Sequence, residues 1–525
     1  MTYLLHHLID PPRAQHTAII GREMAWDYAT LRQRVVQLAC GLLKQGLQPG
    51  DRVAVWLPKT LDGVAMLFAI VRAGGIMVPI NPLLKPAQVA HILADSGACG
   101  LVTQSVRASS LFPHLADLPA LRWLITVDGR WVADTPFQRA TLEDLEQVKH
   151  GLIDDHGRTE HDLAALLYTS GSTGRPKGVA LSHRNLLAGA ASVAAYLGIR
   201  PEDRLLAVLP LSFDYGLSQL TIAFYAGASV ILLDYLVPRD VHKAITRHGA
   251  TVLAGVPSLW HQLASQDWLP ELRSLRILTN SGGHLPRPII ERLRAGLPDA
   301  RLYLMYGLTE AFRSTYLPPE ELDRRPDSIG KAIPNAEVMV LRPDGTPCAP
   351  HEPGELVHRG PTVAQGYWND PERTAERFRP IPNRTEGLPH PELAVWSGDQ
   401  VRMDEEGFLY FIGRDDDMIK TSGYRISPTE IEDVLYASGL VREAAAIGVD
   451  DEVSGQRILA VVVPEAGHFD PDQLLQYCRA NLPIYMVPAA IELVASLPLT
   501  PNGKVNRRQL REQYGRSSSP HMEPV

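Results

Sequence analysis

Short apolar runs alternate with segments of helical apolar spacing along most of this 525-residue chain, and this alternation limits its fold more than any other feature. The runs have the length and composition of buried strands, namely RVAVWLP, GLVTQ, RWLITVDG, LLAVLPL, SVILLDY, TVLAGV and RLYLMYG. Ahead of the first run, the apolar spacing of DYATLRQRVVQLACGLLKQG predicts a helix over 27–46 that ends at Gly46. Strands that alternate with helices predict βαβ units and largely parallel sheets.

The pattern changes after the segment GFLYFIGRDDD. From about residue 416 onward, shorter elements predict a compact α+β unit with strands at AAAIGV, ILAVVVP and AAIELVA. We therefore predict a boundary near Asp416, with one domain over 1–415 and a second over 416–525. The final stretch, GRSSSPHMEPV, has few large apolar residues and is expected to fray.

Charge and composition exclude several classes of protein. The chain has 51 Lys+Arg against 59 Asp+Glu, with no dense basic run, so nucleic acid is not an expected partner. The sequence has no stretch of about 18 uninterrupted apolar residues, the length that a membrane span needs, and the N-terminus lacks the pattern of a secretion signal. We therefore expect a cytoplasmic protein. The cysteines, Cys40, Cys99, Cys348 and Cys478, are widely spaced and predict isolated thiols rather than disulfides or a zinc site.

One segment, LLYTSGSTGRPKGVALSH over 166–183, predicts a strand at Ala164–Tyr168 that leads into a loop of glycines and hydroxyl residues. The loop lacks the Lys-Ser/Thr ending of a P-loop and the spacing of a nucleophile elbow. Its backbone N–H groups, its hydroxyls and Lys177 suit phosphate oxygens. Taken alone, the same composition is equally compatible with a plain linker.

Five further motifs, together with this loop, resemble the signature of the adenylate-forming superfamily, which contains acyl- and aryl-CoA synthetases, peptide-synthetase adenylation domains and firefly luciferases. They follow in the family's order: YGLTE (306–310), YWNDPERTAERF (367–378), SGD (397–399), GRDDDMIKTSGYRISPTEIE (413–432) and PNGKVNRRQL (501–510). The resemblance implies an α/β fold with a large N-terminal domain of parallel-rich βαβ sheets plus a distorted barrel, and a small mobile α+β C-terminal domain. The chain is most similar to an AMP-forming acyl-CoA ligase.

The resemblance also implies a two-step reaction. ATP converts a small-molecule carboxylic acid to an acyl-adenylate with release of pyrophosphate, and a thiol then displaces AMP. Coenzyme A is the expected thiol, Mg²⁺ accompanies ATP, and the phosphopantetheine arm of an acyl carrier protein is the alternative acceptor. A luciferase-like oxidase and a nucleotide-binding protein without catalysis are the rival classes. The chain is expected to be a monomer or a homodimer.

The residues of the nucleotide site are assigned by the same resemblance. Thr309 is expected at the α-phosphate and Glu310 at Mg²⁺. The expected ligands of the other phosphates are Thr169, Ser170, Gly171, Ser172, Thr173, Gly174 and Lys177. The expected adenosine site comprises Gly282, Gly283 and Tyr306, with Asp399 on the ribose hydroxyls and Arg414 beside it.

Three residues are expected to serve the change between the two steps. Lys504, which follows the turn-forming TPNG, resembles the family lysine that bridges the substrate carboxylate and the α-phosphate. Asp416 matches the hinge about which the C-terminal domain turns, and Gly423 lies in the loop that the turn presents to the thiol tunnel.

The segment LPLSFDYGLSQL over 209–220 matches the family's acyl pocket. Many CoA synthetases have a histidine where Phe213 stands, which weakens a simple fatty-acid analogy. Asp214 resembles the aspartate that binds the ammonium group in amino-acid adenylation domains, but it is equally compatible with a helix cap. The expected pocket residues are Phe213, Asp214, Tyr215, Gly216, Trp260 and Phe312. The identity of the acid stays open.

Overall fold

The structure of the protein is a computed structural model. It describes residues 2–10, 14–130, 137–148, 157–169, 176–283, 285, 287–381, 391–414, 419–426, 428–465, 469–498, 505 and 507–515. Several predicted site residues therefore lie outside the described residues, namely Ser170 to Gly174, Asp416 and Lys504.

Strands of two to 11 residues are distributed along the described residues. In chain order they are β1 (Thr17–Ile20), β2 (Ala25–Asp27), β3 (Arg52–Trp56), β4 (Ile76–Pro79), β5 (Gly100–Thr103), β6 (Trp123–Thr126), β7 (Gln138–Thr141), β8 (Leu163–Thr169), β9 (Lys177–Ser182), β10 (Arg204–Ala207), β11 (Ser229–Leu232), β12 (Val252–Gly255), β13 (Ile277–Asn280), β14 (Arg301–Leu308), β15 (Ala311–Leu317), β16 (Ser328–Ala332), β17 (Glu337–Leu341), β18 (Gly354–Arg359), β19 (Gly366–Tyr367), β20 (Phe378–Pro380), β21 (Leu393–Met403), β22 (Leu409–Arg414), β23 (Ile419–Thr421), β24 (Tyr424–Ile426), β25 (Val441–Asp451), β26 (Gly455–Pro464) and β27 (Ala490–Leu493).

Helices alternate with these strands through the first 300 residues. In chain order they are α1 (Tyr28–Lys44), α2 (Leu61–Arg72), α3 (Pro86–Ser96), α4 (Ser105–Ser110), α5 (Leu142–Glu146), α6 (His183–Leu197), α7 (Asp214–Ala226), α8 (Pro238–His248), α9 (Pro257–Ala264), α10 (Arg287–Gly296), α11 (Pro371–Arg377), α12 (Pro428–Ala437), α13 (Pro471–Asn481) and α14 (Arg507–Tyr514). Short 3₁₀ turns occur at Leu5–Ile9, Phe112–Asp117, Leu269–Glu271, Pro319–Glu321 and Ile484–Met486.

The largest sheet in the described residues has a parallel part and an antiparallel part. Its strands follow the order β17-β18-β21-β22-β16-β15-β14-β13-β12-β10-β11-β1-β2, and β20 pairs with β21. Neighbouring strands pair in parallel from β14 through β13, β12, β10 and β11 to β1, as the βαβ pattern predicts. The strands beyond β14 pair antiparallel, so the region expected as a barrel continues this sheet.

A second sheet has the order β19-β9-β8-β4-β3-β5-β6-β7 and is parallel except at β8, β9 and β19. One cluster of buried side chains, including Leu38 of α1, Leu67 of α2, Val55 of β3 and Leu206 of β10, joins it to the first sheet. Helix α2 is buried from Leu61 to Val71 except at Asp62, which fits a helix enclosed between layers.

The third sheet belongs to the small C-terminal unit and has the order β24-β23-β26-β25, with β27 paired to β26. Two hydrophobic clusters lie on its faces, one around Ile431 and Leu474 and the other around Leu497 and Leu510. This unit and the large N-terminal sheets confirm the predicted α/β fold with a small α+β C-terminal domain. The predicted boundary at Asp416 lies outside the described residues and stays a prediction.

Local signals in the sequence explain individual elements. Helix α1 begins after Asp27, whose carboxylate accepts a 2.7 Å hydrogen bond from the Thr30 backbone N–H, and the chain leaves the helix through Gly46 at φ +89°.

The described cysteines are free thiols, as predicted. No helix in the described part of the chain combines the length and apolar character of a membrane span.

Candidate active site

A two-residue turn brings Thr309 and Glu310 into the interior. Leu308 at the end of β14 pairs with Ala311 at the start of β15, so Thr309 and Glu310 alone connect the two strands. Both side chains are buried despite their polarity. A hairpin this tight fixes the direction of both side chains, which a binding site for a charged group requires.

Glu310 of this turn forms a polar cluster with Lys177 and Tyr367. We call these three residues the Lys177 cluster. The Lys177 Nζ lies 3.1 Å from Glu310 Oε1 and donates a 2.6 Å hydrogen bond to the Tyr367 hydroxyl. The Tyr367 hydroxyl donates in turn to Glu310 Oε1 at 2.7 Å. Charge-assisted hydrogen bonds of this kind hold the carboxylate and the ammonium group in fixed positions.

The glycine-rich loop lies between two strands: Thr169 is the last residue of β8, and Lys177 is the first residue of β9. They are paired residues of the antiparallel β8–β9 ladder. The loop residues Ser170 to Gly174, predicted as phosphate ligands, lie outside the described residues. The ladder nevertheless brings both ends of that loop next to the Lys177 cluster.

Tyr306 and Asp399 meet next to this cluster. Asp399 of β21 is buried and accepts a short hydrogen bond from the Tyr306 hydroxyl. Asp399 is the paired residue of Arg414 in β22, whose side chain lies outside the described residues. The structure thus brings together the tyrosine and the aspartate that the sequence assigned to adenine and ribose.

His358 of β18 is a neighbour of this pair that sequence reasoning missed. Its ring stacks with Tyr306 at a centroid distance of 6.0 Å and an interplanar angle of 17°. Burial lowers the pKa of His358 to about 4, although the negative charges of Asp399 and Glu310 act to raise it. The imidazole is therefore neutral at physiological pH, and neither ring nitrogen has a hydrogen-bond partner among the described residues.

Gly282 and Gly283 form a constrained turn after β13. Gly282 has a φ of +83°, and Asn280 Nδ2 donates to the Gly283 carbonyl at 3.0 Å. A Cβ on Gly283 would lie 3.1 Å from Pro257 Cγ, so this backbone has close neighbours on one side. The left-handed backbone favours glycine at Gly282, and a side chain at Gly283 would require Pro257 to shift slightly.

The predicted acyl-pocket segment forms the start of helix α7. Phe213 is the N-cap residue and Asp214 the first helical residue, so Asp214 stands in the first turn rather than at the cap. A Cβ on Gly216 would lie 1.8 Å from the Pro210 carbonyl oxygen, which leaves no space for a side chain. The Tyr215 hydroxyl donates to the Thr279 carbonyl at 2.9 Å and ties α7 to β13.

Trp260 and Phe312 are fully buried in close packing. The Trp260 indole covers Gly255 of β12, where an added Cβ would lie 2.7 Å from its Cε2. The Phe312 ring fits against Gly189 of α6, where an added Cβ would lie 2.5 Å from its Cδ1. In this arrangement both rings pack against backbone, and their predicted role as pocket walls stays a prediction.

Asp214 and Arg313 place opposite charges in one buried region. Burial raises the pKa of Asp214, the nearby Arg313 charge lowers it, and Glu310 raises it. Both side chains are almost completely buried. The proximity of Glu310 to Asp214 indicates that the acyl-pocket segment lies beside the Lys177 cluster.

Three residues of this region were absent from the sequence prediction: Tyr367, His358 and Arg313. Tyr367 begins the motif YWNDPERTAERF, so its position in a known motif was a usable signal. His358 and Arg313 follow ordinary strand sequence in GELVHR and TEAFR. Only their side-chain interactions in the structure show that they lie at the site.

Gly423 of the C-terminal domain lies against the N-terminal site. A Cβ on Gly282 would lie 3.3 Å from Gly423 Cα, and a Cβ on Gly423 would lie 2.4 Å from Val256 Cγ1. Gly423 has a φ of +81°. The structure therefore brings together Gly423 and Gly282, one of the two expected adenosine-site glycines.

Helix α3 makes a second contact between the domains. Gln88 Nε2 donates to Glu430 Oε1 of α12 at 2.5 Å, and Lys85 Nζ donates to the Arg479 carbonyl of α13 at 3.3 Å. Burial raises the pKa of Glu430 from 4.5 to about 7, the Gln88 hydrogen bond lowers it and Asp433 raises it. Protonated Glu430 is therefore the form that this contact favours.

We expect this contact to weaken as the pH rises. When the helices separate, the pKa of Glu430 returns toward 4.5, so the advantage from protonation is complete below that value and is lost as the pH rises through about 7. Glu430→Gln should remove this pH dependence, whereas exposed Glu512→Gln should retain it. Energy transfer between dyes on the two domains measures the effect, and an unchanged pH profile in Glu430→Gln would contradict the prediction.

Comparisons with known proteins agree with this geometry. The chain is 34% identical over 509 residues to a feruloyl-CoA synthase from Amycolatopsis sp, covering 95% of this chain and 96% of that one. It is 33% identical over 511 residues to a linear gramicidin synthase from Brevibacillus parabrevis, covering 96% of this chain but only 6% of that protein. The solved amide bond synthetase McbA from Marinactinospora thermotolerans superposes with a TM-score of 0.85 at 28% identity, covering 98% of this chain and 100% of that one.

Two family models match the chain. The model for the AMP-binding enzyme matches residues 11–368, and the model for the AMP-binding enzyme C-terminal domain matches residues 430–504. The first match covers more than half of the chain. The chain therefore belongs to the AMP-binding enzyme family, and the resemblance drawn from its motifs is confirmed.

Proposed function

We propose that this chain activates a carboxylic acid with ATP as an acyl-adenylate, with release of pyrophosphate, and then transfers the acyl group to a thiol, with coenzyme A as the favoured acceptor. One observation supports this function above others. His358 stacks with Tyr306 and feels the charges of both Asp399 and Glu310, so the Lys177 cluster and the Tyr306–Asp399 pair are neighbours. This provides donors for phosphates next to groups suited to a nucleoside. A plain linker role for the glycine-rich loop gives no reason for this arrangement.

The Lys177 cluster suits the charge that develops on the phosphates. A carboxylate is a poor electrophile, so it is activated first. Its oxygen attacks the α-phosphorus, the bond between the α-phosphorus and the pyrophosphate oxygen breaks, and negative charge accumulates on the departing pyrophosphate. Lys177 is held by Glu310 and Tyr367, and Thr309 lies on the turn directly before Glu310. Donors fixed in advance stabilise such charge without rearrangement during the reaction.

Mg²⁺ fits this site by the chemistry of its donors. Mg²⁺ typically binds one or two carboxylates together with phosphate oxygens and water, and Glu310 is a buried carboxylate at the expected position. Bound Mg²⁺ would neutralise phosphate charge, and Glu310 is the residue that would hold it. Lys177 and Tyr367 orient the Glu310 carboxylate for this role.

Asp399 and Tyr306 are suited to the nucleoside. A buried carboxylate can accept hydrogen bonds from two ribose hydroxyls, and an aromatic ring offers a face to adenine. The hydrogen bond between Tyr306 and Asp399 fixes both groups in relation to each other. His358 supports the ring of Tyr306 by stacking.

The two half-reactions need different arrangements of the C-terminal domain. We propose that Lys504 serves adenylation and that a rotation about Asp416 then withdraws it and presents the Gly423 loop to the thiol. The contact of Gly423 with Val256 and Gly282 supports this idea, because it is the arrangement expected for the thiol step.

Coenzyme A is favoured over a carrier protein as the acceptor. The feruloyl-CoA synthase matches this chain along nearly its full length, whereas the linear gramicidin synthase is a much longer protein of which the chain spans 6%. The segment IKTSGYRISPTEIE also looks more like the CoA-ligase form of its motif. Loading of a carrier-protein phosphopantetheine is the second candidate.

A two-part assay tests the function. ATP–pyrophosphate exchange over a panel of carboxylic acids detects adenylation, and addition of coenzyme A or a holo carrier protein, followed by mass spectrometry, identifies the thioester. We expect exchange with at least one acid and a CoA thioester of that acid. Exchange without a thioester on either acceptor would refute the second step, and absence of exchange would refute the first.

Tyr367→Phe should slow adenylation about tenfold, because the lost hydroxyl bonds to both charged groups of the Lys177 cluster and hydrogen bonds to charged groups contribute about 1.5–3 kcal/mol. The rate of pyrophosphate exchange measures this effect. Tyr28→Phe is the matched control, since the Tyr28 hydroxyl bonds to the Ala228 carbonyl in the core. Equal rates in Tyr367→Phe and Tyr28→Phe would contradict the proposed role of Tyr367.

A further inference from the structure

We propose that Arg313 binds a second anionic group of the acid, so that the enzyme prefers carboxylic acids that bear a further carboxylate besides the one that is activated. This inference rests on the proposed function and names the substrate class for the same site. Three features of Arg313 support it: its backbone conformation, its side-chain donors and its neighbours on helix α7.

The backbone of Arg313 has an unusual conformation for a side chain of its size. Its φ is +69°, in the left-handed region that favours glycine. The register of β14 and β15 shifts here, because Tyr306 pairs with Thr315 and Leu308 pairs with Ala311, so one residue of β14 faces three residues of β15. Such bulges redirect side chains and are common next to active sites. The backbone strain indicates that the position of Arg313 serves a purpose.

The guanidinium of Arg313 is buried and has an unused hydrogen-bond donor. The residue is 2% exposed. Its Nη2 donates to Ser218 Oγ at 2.8 Å, and its Cζ lies 4.2 Å from the centroid of the Tyr215 ring. Its Nε is buried and has no hydrogen-bond partner among the described residues. A buried charge in this state calls for an anionic partner.

The neighbours of Arg313 place it in the acyl-pocket segment. Ser218 follows Asp214 by four residues on α7, so the two side chains lie on the same face of the helix. Arg313 therefore reaches the helix face that begins with Asp214, three residues after Glu310 on the same hairpin. An acid whose reacting carboxylate lies near the Lys177 cluster can extend its other end toward Arg313.

A simpler interpretation makes Arg313 only the counter-ion of Asp214. The Arg313 charge does act on Asp214. However, the hydrogen bond observed for Arg313 is to Ser218, not to Asp214. Its Nε has no hydrogen-bond partner among the described residues, whereas a residue that served only as a counter-ion would have no need of an unused donor. The two interpretations differ in a measurable way, because only substrate binding makes the choice of acid depend on Arg313.

The test compares acids that differ in one charge. ATP–pyrophosphate exchange is measured with aliphatic and aromatic dicarboxylic acids and with their monomethyl esters. Thermal shifts with the same compounds report binding independently of turnover. We expect kcat/KM to be about 100-fold higher for the best dicarboxylic acid than for its ester, because a site with a buried donor rejects an analogue that leaves the donor unpaired. Glutamate against glutamine forms a second arm that shows whether Asp214 also receives an ammonium group.

Arg313→Met should reduce this preference to about twofold or reverse it, while Arg313→Lys should retain part of it. Exposed Arg294, which pairs with Asp323 at the surface, supplies the matched control Arg294→Met, for which the preference should be unchanged. Because the preference is a ratio within one variant, partial loss of folded protein does not affect it.

Two results would overturn the inference: a wild-type enzyme that treats acid and ester alike, or an undiminished preference in Arg313→Met. If no acid supports exchange, the proposed function fails, and the thermal shifts then decide the inference by themselves. Stabilisation by a dicarboxylic acid but not by its ester, lost in Arg313→Met, would support it. Equal or absent stabilisation would refute it.

Discussion

Replacement of Lys504 by alanine should slow formation of the acyl-adenylate by about 10²–10³-fold, the loss typical of a removed donor that stabilises developing charge. The same variant should cleave supplied acyl-adenylate with a thiol at nearly the normal rate, because we propose that the lysine leaves the site before that step. Lys504 directly precedes Val505, which packs against the cluster of Leu497 and Leu510 in the C-terminal domain. Because Lys504 is bonded to Val505, we expect Lys504 to move with that domain.

Separate assays of the half-reactions measure this prediction. Pyrophosphate exchange reports adenylation, and release of AMP from a synthetic acyl-adenylate with coenzyme A reports the thiol step. Lys243→Ala, on the surface of helix α8, removes an equal charge and should leave both rates unchanged. Equal loss of both half-reactions in Lys504→Ala would contradict the role that we propose for Lys504.

Much of the fold follows from local patterns in the sequence. Each of the quoted apolar runs forms a strand, as RVAVWLP does at Arg52–Trp56, because buried parallel strands need short, continuous apolar segments. The helix predicted over 27–46 forms at Tyr28–Lys44, since its cap and its terminal glycine are both local signals. The order of strands within the sheets is not local, and only the structure gives it.

The candidate site was predictable only where a motif indicated it. Asp399 and Tyr306 were assigned from separate motifs and lie in direct contact. Arg313 escaped prediction because its direction depends on a bulge set by the pairing of β14 with β15. Trp260 and Phe312 pack over Gly255 and Gly189, contacts between distant parts of the chain that residue type alone does not reveal.

Gly423→Leu should suppress thioester formation on the order of 100-fold and leave adenylation nearly unchanged. A Cβ at Gly423 would already lie 2.4 Å from Val256 Cγ1, and the further carbons of leucine would extend into the same contact. Overpacking costs about 1–3 kcal/mol and sometimes more, and each 1.36 kcal/mol corresponds to a factor of about ten in rate. The cost applies only while the loop lies against the N-terminal domain, so the step that uses this arrangement is the one affected.

A leucine at φ +81° also strains the loop itself, and the control must separate strain from the clash. Gly439 has a φ of +70°, and a Cβ added there would meet no described neighbour within 4 Å, so Gly439→Leu shares the strain without the contact. Gly423→Ala, which adds only the Cβ that meets Val256 Cγ1, should also slow the thiol step, and Val256→Ala should partly restore that step because it removes Cγ1. A thiol step that falls equally in Gly423→Leu and Gly439→Leu, or that Val256→Ala fails to restore, would contradict a docked role for Gly423.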